Sequence, residues 1–380
     1  MDTIKKTKNI FLPSLVALEV TRRCVLNCAH CRAGAEDKTY QDELITTEIL
    51  NFLKDIASFS KPIIILTGGE PMLRDDIFDI AKYGTNLGLR MVMAPCGILV
   101  TEEKAKRMIE SGIKRISLSL DGATRKSHDK FRGQSGSFDA VMSAMKNAKK
   151  VELEFQINTT ITKDNINELE KILEIAIKSG AVAFHPFLLV PTGRAKGLID
   201  KELSSDEYEE TLNQIYKLQK KTDILFKPTC APHYLRIVKQ NMAEEKEDEK
   251  SVKTKSDYNS SINKLNDQKS DVKKHLSTNL HHLTKGCMGG QTFAFISHIG
   301  KVQICGFLDL ECGDIRKEPF SKIWKKSAIF NQLRDPKNYK GKCGVCEFLS
   351  ICGGCRARAY TIYNDYLAEE PFCSYIPLKT

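Results

Sequence analysis

The chain has 380 residues, of which 41% are hydrophobic and 28% are charged, and its formal net charge is +10. These values predict a soluble globular protein with one large domain or two. No stretch is long and uncharged enough to span a membrane, and no apolar signal core follows the first lysines, so we expect a cytoplasmic protein without a membrane partner.

The charge and the cysteines narrow the class of function. The positive charge implies an anionic partner, but it is spread along the chain and forms no basic stripe with aromatic residues. We therefore expect a small polyanion in a cleft and no nucleic acid, although a mildly basic enzyme without such a partner stays open. Thirteen cysteines in a cytoplasmic chain favour metal or redox chemistry over a disulfide framework.

The first predicted strand, Leu15–Val20, leads into the pattern CxxxCxxC at Cys24, Cys28 and Cys31. An iron–sulfur cluster is normally held by four thiolates, so a set of three leaves one iron open to another ligand. A zinc knuckle is the alternative, but zinc usually takes a fourth Cys or His at matching spacing. His30 lies between two of the cysteines and is poorly placed to supply it.

The second predicted strand, Pro62–Leu66, is followed by Thr67-Gly68-Gly69-Glu70-Pro71. The two glycines would let the backbone approach a ligand closely, and Glu70 offers an acceptor for a ligand ammonium group. Alone, this segment would be an ordinary strand-to-helix turn. It lies one β/α unit after the three cysteines, which favours a shared site.

Short apolar runs alternate with amphipathic segments from Ser14 to about Lys221. The other predicted strands are Arg90–Ala94, Arg115–Leu120, Glu154–Thr160 and Val182–Phe187. The predicted helices are Thr46–Ser58, Asp75–Asn86, Thr101–Ser111, Ser137–Lys150, Asn165–Ser179 and Ser204–Lys221. Six strand–helix repeats predict an α/β fold with parallel strands and functional loops at the strand C-termini.

Residues from Met242 to His282 are rich in Lys, Glu, Asp, Ser and Asn. They have too little apolar surface to offset the entropy of ordering, so we predict a mobile or partly helical insertion within a linker at 231–285. It separates a first domain, 1–230, from a cysteine-rich domain, 286–380. The second domain offers little apolar material, and we expect metal ligation to supply much of its stability.

The cysteine-rich domain has a regular pattern: Cys287, then Gly300 five residues before Cys305, then Cys343-x2-Cys346-x5-Cys352-x2-Cys355, then Cys373, with Cys312 outside these spacings. A pair of zinc ribbons would also fit such spacing. Cys96 and Cys230 lie outside any cluster spacing, and we interpret them as ordinary thiols.

Together, CxxxCxxC and GGEP resemble the radical S-adenosylmethionine (SAM) enzymes, which have a partial (β/α)6 barrel. The resemblance implies that the open iron of a [4Fe–4S] cluster chelates the amino and carboxylate groups of SAM, and that Gly68, Gly69 and Glu70 contact the amino group. Ser119 and Arg132 match the positions that reach the SAM ribose and carboxylate. Asn158, near the end of the fifth strand, is a further candidate, with a core amide as the alternative.

The C-terminal pattern resembles the SPASM domain, which carries auxiliary [4Fe–4S] clusters. The resemblance implies one or two such clusters. The first would be held by Cys343, Cys346, Cys352 and Cys373. The second would be held by Cys287, Cys305 and Cys355, with Cys312 as the nearest candidate for the fourth ligand. One departure is that two residues separate the last pair, Cys352 and Cys355, where three are usual.

Longer matches resemble the SAM-dependent haem b synthases, among them AFHPFLLVPTGRAKG, FKPTCAPHY and CGGCRARAYTIYNDYLAEEPFC. The resemblance implies oxidative decarboxylation of two propionates of iron-coproporphyrin III to vinyl groups, through a 5′-deoxyadenosyl radical. A low-potential donor such as ferredoxin or flavodoxin would supply electrons. The basic cleft for the carboxylates has Arg194, Arg356 and Arg358 as candidates. His185 and His233 are candidates for ligation of the substrate iron.

Three alternatives stay open. The nearest is another radical SAM/SPASM enzyme of tetrapyrrole side chains, of the didecarboxysirohaem deacetylase or haem d1 type. A peptide maturase is more distant, because the 14 residues before the first strand leave no room for an N-terminal peptide-binding wing. A non-catalytic iron–sulfur carrier would have no need for an open iron.

Overall fold

The structure of the chain, a computed structural model, describes residues 11–256 and 286–378. The strands in this part of the chain are β1 Leu15–Thr21, β2 Ile63–Gly68, β3 Arg90–Met93, β4 Ile116–Ser119, β5 Phe155–Ile161, β6 Ala183–Leu188, β7 Leu225–Phe226, β8 Phe293–Ile296, β9 Lys301–Cys305 and β10 Leu308–Asp314. The helices are α1 Thr46–Phe59, α2 Ile77–Asn86, α3 Glu102–Glu110, α4 Arg125–Arg132, α5 Ser137–Lys150, α6 Leu169–Ser179, α7 Ser205–Lys220, α8 Tyr234–Ser256, α9 Phe320–Lys326, α10 Ala328–Arg334, α11 Gly341–Val345 and α12 Arg356–Tyr363.

The strands form one sheet in the order β10-β9-β8-β1-β2-β3-β4-β5-β6-β7. Strands β1 to β7 pair in parallel and in chain order. This confirms the predicted α/β fold with a partial barrel, and all six predicted strands are present. The sequence analysis missed the short β7 and the helix α4. Because parallel strands end on the same edge of the sheet, the loops after β1, β2 and β4 to β7 share one rim.

The two faces of the sheet differ in polarity, as β5 shows. Along Phe155–Ile161, buried residues alternate with half-buried ones. Phe155, Ile157 and Ile161 belong to the main hydrophobic core. Gln156 and Asn158 point to the opposite face, because successive side chains of a strand alternate. The barrel interior is therefore a polar and partly accessible surface.

The predicted boundary at 286 does not separate two packing units. Strand β8 pairs in parallel with β1, with Leu15 opposite Phe293, and β9 and β10 continue the same sheet in antiparallel pairs. The C-terminal region thus extends the barrel sheet on the far side of β1. The predicted small cysteine-rich domain is therefore joined to the barrel through the same sheet.

The expectation that the C-terminal region lacks apolar material is also wrong. Phe320, Ile323, Trp324, Phe330 and Leu333 are each at most 1% exposed and belong to the same core as the barrel strands. They lie on α9 and α10, two short helices whose few apolar side chains pack into one continuous group. Hydrophobic burial, and not metal ligation alone, therefore stabilises this region.

The first residues of the predicted linker, from 231 onward, pack against the barrel, and most of them belong to helix α8. Ala231, Tyr234, Ile237 and Val238 are buried in the main core. On the same helix, Arg236 forms a two-pronged ion pair with Glu209 of α7, at 2.7 and 2.6 Å. The first turns of α8 are therefore part of the barrel, which corrects the predicted boundary at 231. Residues 257–285 of the predicted insertion lie outside the described residues.

A buried carboxylate joins the barrel to the C-terminal region. Glu19 of β1 accepts hydrogen bonds from the backbone N–H of His298 at 3.1 Å and from its ring Nδ1 at 3.0 Å, and it pairs with Arg32 at 3.3 Å. Burial alone would raise the pKa of Glu19, but Arg32, His298 and Arg22 lower it to about 2. Glu19 is therefore an anion that fixes the turn after β8 against the rim.

Within the part of the chain that the structure describes, every helix is too short or too polar to cross a lipid bilayer.

The core position of α10 generates the first prediction. Phe330→Ala should destabilise the protein by about 3–5 kcal/mol, because it removes a fully buried ring. Lys326→Ala, at an exposed position of the neighbouring helix, should change stability by less than about 0.5 kcal/mol. Anaerobic urea denaturation followed by far-UV circular dichroism measures both. Equal midpoints for the two variants would contradict an apolar core in this region.

Candidate active site and cluster sites

The loop after β1 brings the three N-terminal cysteines together. Cys24 and Cys28 are buried and Cys31 is half-buried. The thiol of Cys24 interacts electrostatically with those of Cys28 and Cys31, and with the carboxylate of Glu70. A small apolar cluster, which includes Leu26, surrounds them. The predicted juxtaposition of CxxxCxxC and GGEP is therefore present.

The two glycines of GGEP serve the cysteine loop itself. The N–H of Gly69 donates to the carbonyl of Thr21 at 2.8 Å, and the N–H of Glu70 donates to the carbonyl of Arg23 at 2.8 Å. A Cβ atom on Gly68 would lie 2.2 Å from the Thr21 oxygen, and one on Gly69 would lie 2.2 Å from the Arg23 oxygen. Only glycine permits this approach, so the glycines position the loop whether or not they also face a ligand.

A second clamp comes from the loop after β6. The Arg194 guanidinium donates to the carbonyl of Cys28 at 2.9 Å and to that of Ala35 at 2.8 Å, and its backbone N–H donates to the carbonyl of Cys31 at 3.0 Å. Two of the guanidinium nitrogens of Arg194 therefore hold the loop, while its Nη2 has no hydrogen-bond partner among the described residues, and its predicted contact with substrate carboxylates stays a prediction. Its side chain is the second donor to the Cys28 carbonyl, which also accepts from the N–H of Cys31 at 3.2 Å, and it holds the Ala35 carbonyl as well.

Glu70 is fully buried beside the cysteine loop. Its carboxylate accepts hydrogen bonds from the N–H of Met72 at 2.9 Å and from the N–H of Cys96 at 2.5 Å. Burial raises its pKa, and the hydrogen bonds from Cys96 and Met72 oppose that shift. The thiol of Cys96 also interacts with this carboxylate and lies near Cys24. Glu70 is thus held at the loop, where its predicted contact with a ligand ammonium group remains a prediction.

Arg132 lies on the other side of the cysteine loop, at the end of α4. It is 6% exposed, and its guanidinium lies 3.3 Å from the Asp121 carboxylate and 3.3 Å from Nε2 of His30. Burial opposes its charge, but Cys28 and Asp121 raise its pKa, so it remains a cation. The Nε atom of Arg132 has no hydrogen-bond partner among the described residues. A buried cation with a free donor beside the cluster loop fits recognition of a carboxylate.

A row of polar side chains crosses the interior of the barrel below this rim. In the sheet register, Ser119 of β4 lies opposite Asn158 of β5, which lies opposite His185 of β6. Gln156 donates to the amide oxygen of Asn158 at 3.0 Å and lies 3.1 Å from Nδ1 of His185. Sequence reasoning missed Gln156, although the alternation of polar residues along β5 signals its inward direction.

Lys227 extends this row, and sequence reasoning missed it as well. It follows β7, whose residue Phe226 pairs with Phe184, so Lys227 stands beside His185. The two side chains interact electrostatically. Burial lowers the pKa of Lys227, and its ammonium forms no ion pair with any residue that the structure describes. Strand β7 has only two residues, so the sequence shows no periodic pattern from which the position of Lys227 could be predicted.

Four of the C-terminal cysteines form one group, and their ligation of one cluster stays a prediction. The thiol of Cys352 interacts electrostatically with those of Cys343 and Cys373, and the thiol of Cys346 interacts with that of Cys373. The N–H of Glu370 also donates to the sulfur of Cys343 at 3.3 Å. These residues are separated by up to 30 positions in the chain, and the fold brings them together at one site.

A second group contains Cys287, Cys305 and Cys355, whose thiols interact electrostatically with one another. Cys312 is not part of it. Its thiol lies 3.6 Å from the carbonyl of Leu310 and interacts with Ser327 and Glu311, and with no other cysteine of the described ranges. Irregular register between β9 and β10 turns it toward α10. This corrects the expectation that Cys312 supplies the fourth ligand.

Comparison with known proteins identifies the family. A profile of the Radical SAM superfamily matches residues 18–176, and one of the SPASM iron–sulfur cluster-binding domain matches residues 287–347. A protein of Nitratidesulfovibrio vulgaris named AdoMet-dependent heme synthase is 46% identical over 96% of this chain and 93% of its own length. A protein of Methanosarcina barkeri with the same name is 44% identical over 97% of this chain and 98% of its own. The chain belongs to the AdoMet-dependent heme synthase family of radical SAM enzymes.

Two further comparisons lie at lower identity. A Methanosarcina barkeri protein named Fe-coproporphyrin III synthase is 28% identical to this heme synthase family member, over 94% of this chain and 87% of its own length. The crystal structure of Streptococcus suis SuiB bound to S-adenosylmethionine matches with a TM-score of 0.69 at 15% identity, over 96% of this chain and 78% of its own. At that identity the likeness shows the fold alone.

As a radical SAM enzyme with a SPASM domain, this heme synthase family member uses SAM, a [4Fe–4S] cluster and auxiliary iron–sulfur clusters. The donor sets fit these groups. The cysteine loop supplies three thiolates, and the nearby Cys96 thiol interacts with Glu70 instead. Among the described residues, no group of three or more Cys, His, Asp or Glu side chains is close enough to ligate a single metal ion. Thiolates that each bind a different iron of one cluster stand further apart.

The remaining candidates for substrate contact lie elsewhere. Arg356 donates to the carbonyls of Tyr366 and Ala368, at 3.0 and 2.6 Å, and Arg358 pairs with Glu370 at 2.9 Å. Both arginines of this heme synthase family member are buried and bind other parts of the protein. This corrects the expectation that they bind substrate carboxylates. His233 is also buried, 1% exposed, behind the barrel rim. Only His185 faces the interior row.

The clamp by Arg194 generates the second prediction. Arg194→Ala should lose the N-terminal cluster, because two charge-assisted hydrogen bonds of about 1.5–3 kcal/mol each are removed from its loop. We expect the iron content after anaerobic reconstitution to fall by one cluster and cleavage of SAM to be lost, with the circular dichroism spectrum unchanged. Lys196→Ala, an exposed neighbour, is the matched control. A fully loaded Arg194→Ala protein that cleaves SAM normally would contradict the clamp.

Proposed function

We propose that this enzyme converts iron-coproporphyrin III to haem b by oxidative decarboxylation of two propionate side chains to vinyl groups. Similarity to AdoMet-dependent heme synthases over nearly the whole chain is the observation that carries this proposal. The names of these relatives point to a tetrapyrrole substrate, and we propose that this tetrapyrrole is iron-coproporphyrin III. The net charge of +10 suits a substrate with four carboxylates.

Residues of this chain would hold SAM and the tetrapyrrole next to each other. Bound SAM and the reduced N-terminal cluster supply the 5′-deoxyadenosyl radical that removes one hydrogen atom from the propionate β-carbon. Gly68, Gly69 and Glu70 would bind the SAM amino group, with Glu70 held by two backbone N–H groups. Arg132 would pair with the SAM carboxylate through its free Nε donor. Ser119 and Asn158, adjacent in the sheet register, would contact the ribose.

Each decarboxylation releases carbon dioxide and leaves one surplus electron, so the reaction needs an acceptor. The group of Cys343, Cys346, Cys352 and Cys373 provides a site for an auxiliary cluster that would take this electron first. The radical-generating cluster needs one electron for each SAM, which a ferredoxin or flavodoxin would supply. Two propionates therefore consume two SAM molecules and return two electrons.

The interior row favours an anionic substrate over a neutral one. Lys227 is a desolvated cation without an ion-pair partner among the described residues, and such a charge is costly unless a ligand anion neutralises it. Beside it, the Nδ1 atom of His185 lies 3.1 Å from the Gln156 amide nitrogen, and burial lowers the pKa of His185 to about 3, so its ring is neutral. With the ring proton on Nε2, this histidine would donate a hydrogen bond to a carboxylate. We therefore assign His185 and Lys227 to a propionate carboxylate.

The overall reaction gives the third prediction. Anaerobic incubation with SAM, a reductant and iron-coproporphyrin III should yield haem b, with loss of two carboxyl groups detected by mass. Cys28→Ala should form neither 5′-deoxyadenosine nor haem, since one of three cluster thiolates is missing. The related tetrapyrrole enzymes would be distinguished by other substrates. Turnover of didecarboxysirohaem, with none of iron-coproporphyrin III, would contradict the proposal.

The role of Lys227 gives the fourth prediction. Lys227→Met should weaken binding of iron-coproporphyrin III by about 1.5–3 kcal/mol, because one charge-assisted hydrogen bond is lost. Cluster content and the slow cleavage of SAM without substrate should stay unchanged. Lys227→Arg should restore part of the affinity, and Lys221→Met, at an exposed position, is the control. Absorbance titration measures the affinity, and equal affinity of Lys227→Met and wild type would contradict the assignment.

A further inference from the structure

The second group of C-terminal cysteines is one ligand short. Cys287, Cys305 and Cys355 interact electrostatically with one another. A [4Fe–4S] cluster is normally held by four thiolates. With Cys312 turned toward α10, the C-terminal region offers no other cysteine for this group, since the remaining four belong to the other site. A fourth ligand must come from another part of the fold, or one iron stays open.

Cys230 lies at this group, although it is far from it in sequence. It follows the last barrel strand, and the preceding residue Thr229 pairs with Phe187 at the end of β6. The thiol of Cys230 interacts electrostatically with those of Cys355, Cys305 and Cys287. Because such interactions weaken with distance, they indicate that the four thiols are neighbours.

Direct contacts between the chain segments support this convergence. The Arg358 guanidinium donates to the carbonyl of Cys230 at 2.7 Å, and Arg358 lies one turn along the helix that begins after Cys355. A Cβ atom on Gly286 would lie 2.6 Å from the carbonyl oxygen of Pro232. The segment after Cys230 therefore touches the residue before Cys287.

The third segment is joined in the same way. A Cβ atom on Gly289 would lie 3.2 Å from the carbonyl oxygen of Ile304, the residue before Cys305. The N–H of Cys287 donates to the carbonyl of Cys352 at 2.9 Å, three residues before Cys355. All four cysteine-bearing segments are thus in backbone contact around one point.

The backbone at Cys230 is held in an unfavourable conformation. Its φ angle is +54°, in the left-handed region that residues with a Cβ atom rarely adopt. The bridge between Thr229 and Phe187 on one side and the Arg358 bond on the other maintain it. Such strain persists where the surroundings over-determine the backbone, and here it directs the Cys230 side chain.

We propose that Cys230 is the fourth thiolate of the auxiliary cluster held by Cys287, Cys305 and Cys355. With four thiolates, this cluster has no open iron, so it cannot bind substrate and is restricted to electron transfer. It also ties the end of the barrel to three segments of the C-terminal region. The assignment depends on the presence of auxiliary clusters, and not on the identity of the tetrapyrrole.

The test removes the radical cluster and examines the auxiliary clusters alone. In a background with Cys24, Cys28 and Cys31 changed to Ala, the anaerobically reconstituted protein should hold two clusters by iron and sulfide analysis. Adding Cys230→Ala should lower the content by one cluster, or convert one cluster to a three-iron form with its own electron paramagnetic resonance signal after oxidation. Adding Cys312→Ala, the matched control, should change neither.

A conservative variant protects the test against misfolding. Cys230→Ser keeps an oxygen ligand, so the protein should retain both clusters with a changed Mössbauer or resonance spectrum, and with an unchanged circular dichroism spectrum. If Cys230→Ser and Cys230→Ala keep the iron content and spectra of the parent, the proposal is overturned. Loss of a cluster in Cys312→Ala, but not in the Cys230 variants, would also overturn it. These readouts do not involve haem formation, so failure of the proposed function would leave this result unaffected.

Discussion

The site depends on how the backbone of the cysteine loop is satisfied. A loop that presents three thiolates to one cluster cannot form regular secondary structure, so its carbonyl groups need partners from outside. The N–H groups of Gly69 and Glu70 bind it from one side, and Arg194 binds Cys28 and Ala35 from the other. The two clamps come from the ends of β2 and β6. The position of the cysteine loop is therefore set by segments that follow two different barrel strands.

Buried charge connects this rim to the C-terminal region. Glu19 joins the rim to the turn after β8 through Arg32 and His298. Farther along, the fully buried pair of Arg358 and Glu370 lies between the two auxiliary groups. Glu370 accepts a hydrogen bond from the N–H of Cys355, and its own N–H donates to the sulfur of Cys343.

Removing one partner of such a buried ion pair leaves the other charge buried and unpaired, which destabilises the folded protein by about 3–5 kcal/mol. Arg358 also holds the carbonyl of Cys230. One guanidinium therefore stabilises the positions of both auxiliary groups relative to the barrel. This explains why arginines that resemble substrate ligands in the sequence are structural in the fold. Lys227, in the barrel interior, has no ion-pair partner among the described residues, and we propose it as the cation that binds a substrate carboxylate.

Local patterns in the sequence were sufficient to predict those parts of the protein that depend on residues close together in the chain. Apolar runs of strand length and helical periodicity determined the six barrel strands, because each element's burial pattern repeats along its own residues. The spacing of Cys24, Cys28 and Cys31 determined the cluster loop, since all three thiolates come from one turn of chain. The interpretation from composition was wrong for the first turns of α8 and for the C-terminal core. In both places a few buried apolar side chains stabilise the fold although most of the neighbouring residues are charged.

Tertiary structure alone decided which distant residues meet. Cys312 is nearer than Cys230 to the other C-terminal cysteines in sequence, yet register shifts between β9 and β10 turn it away. Cys230 reaches the group because β7 ends at the same rim as the other barrel strands. The same strand order sets Lys227 beside His185, 42 positions away in the chain. Such contacts arise from sheet order and register, which no local pattern of residues encodes.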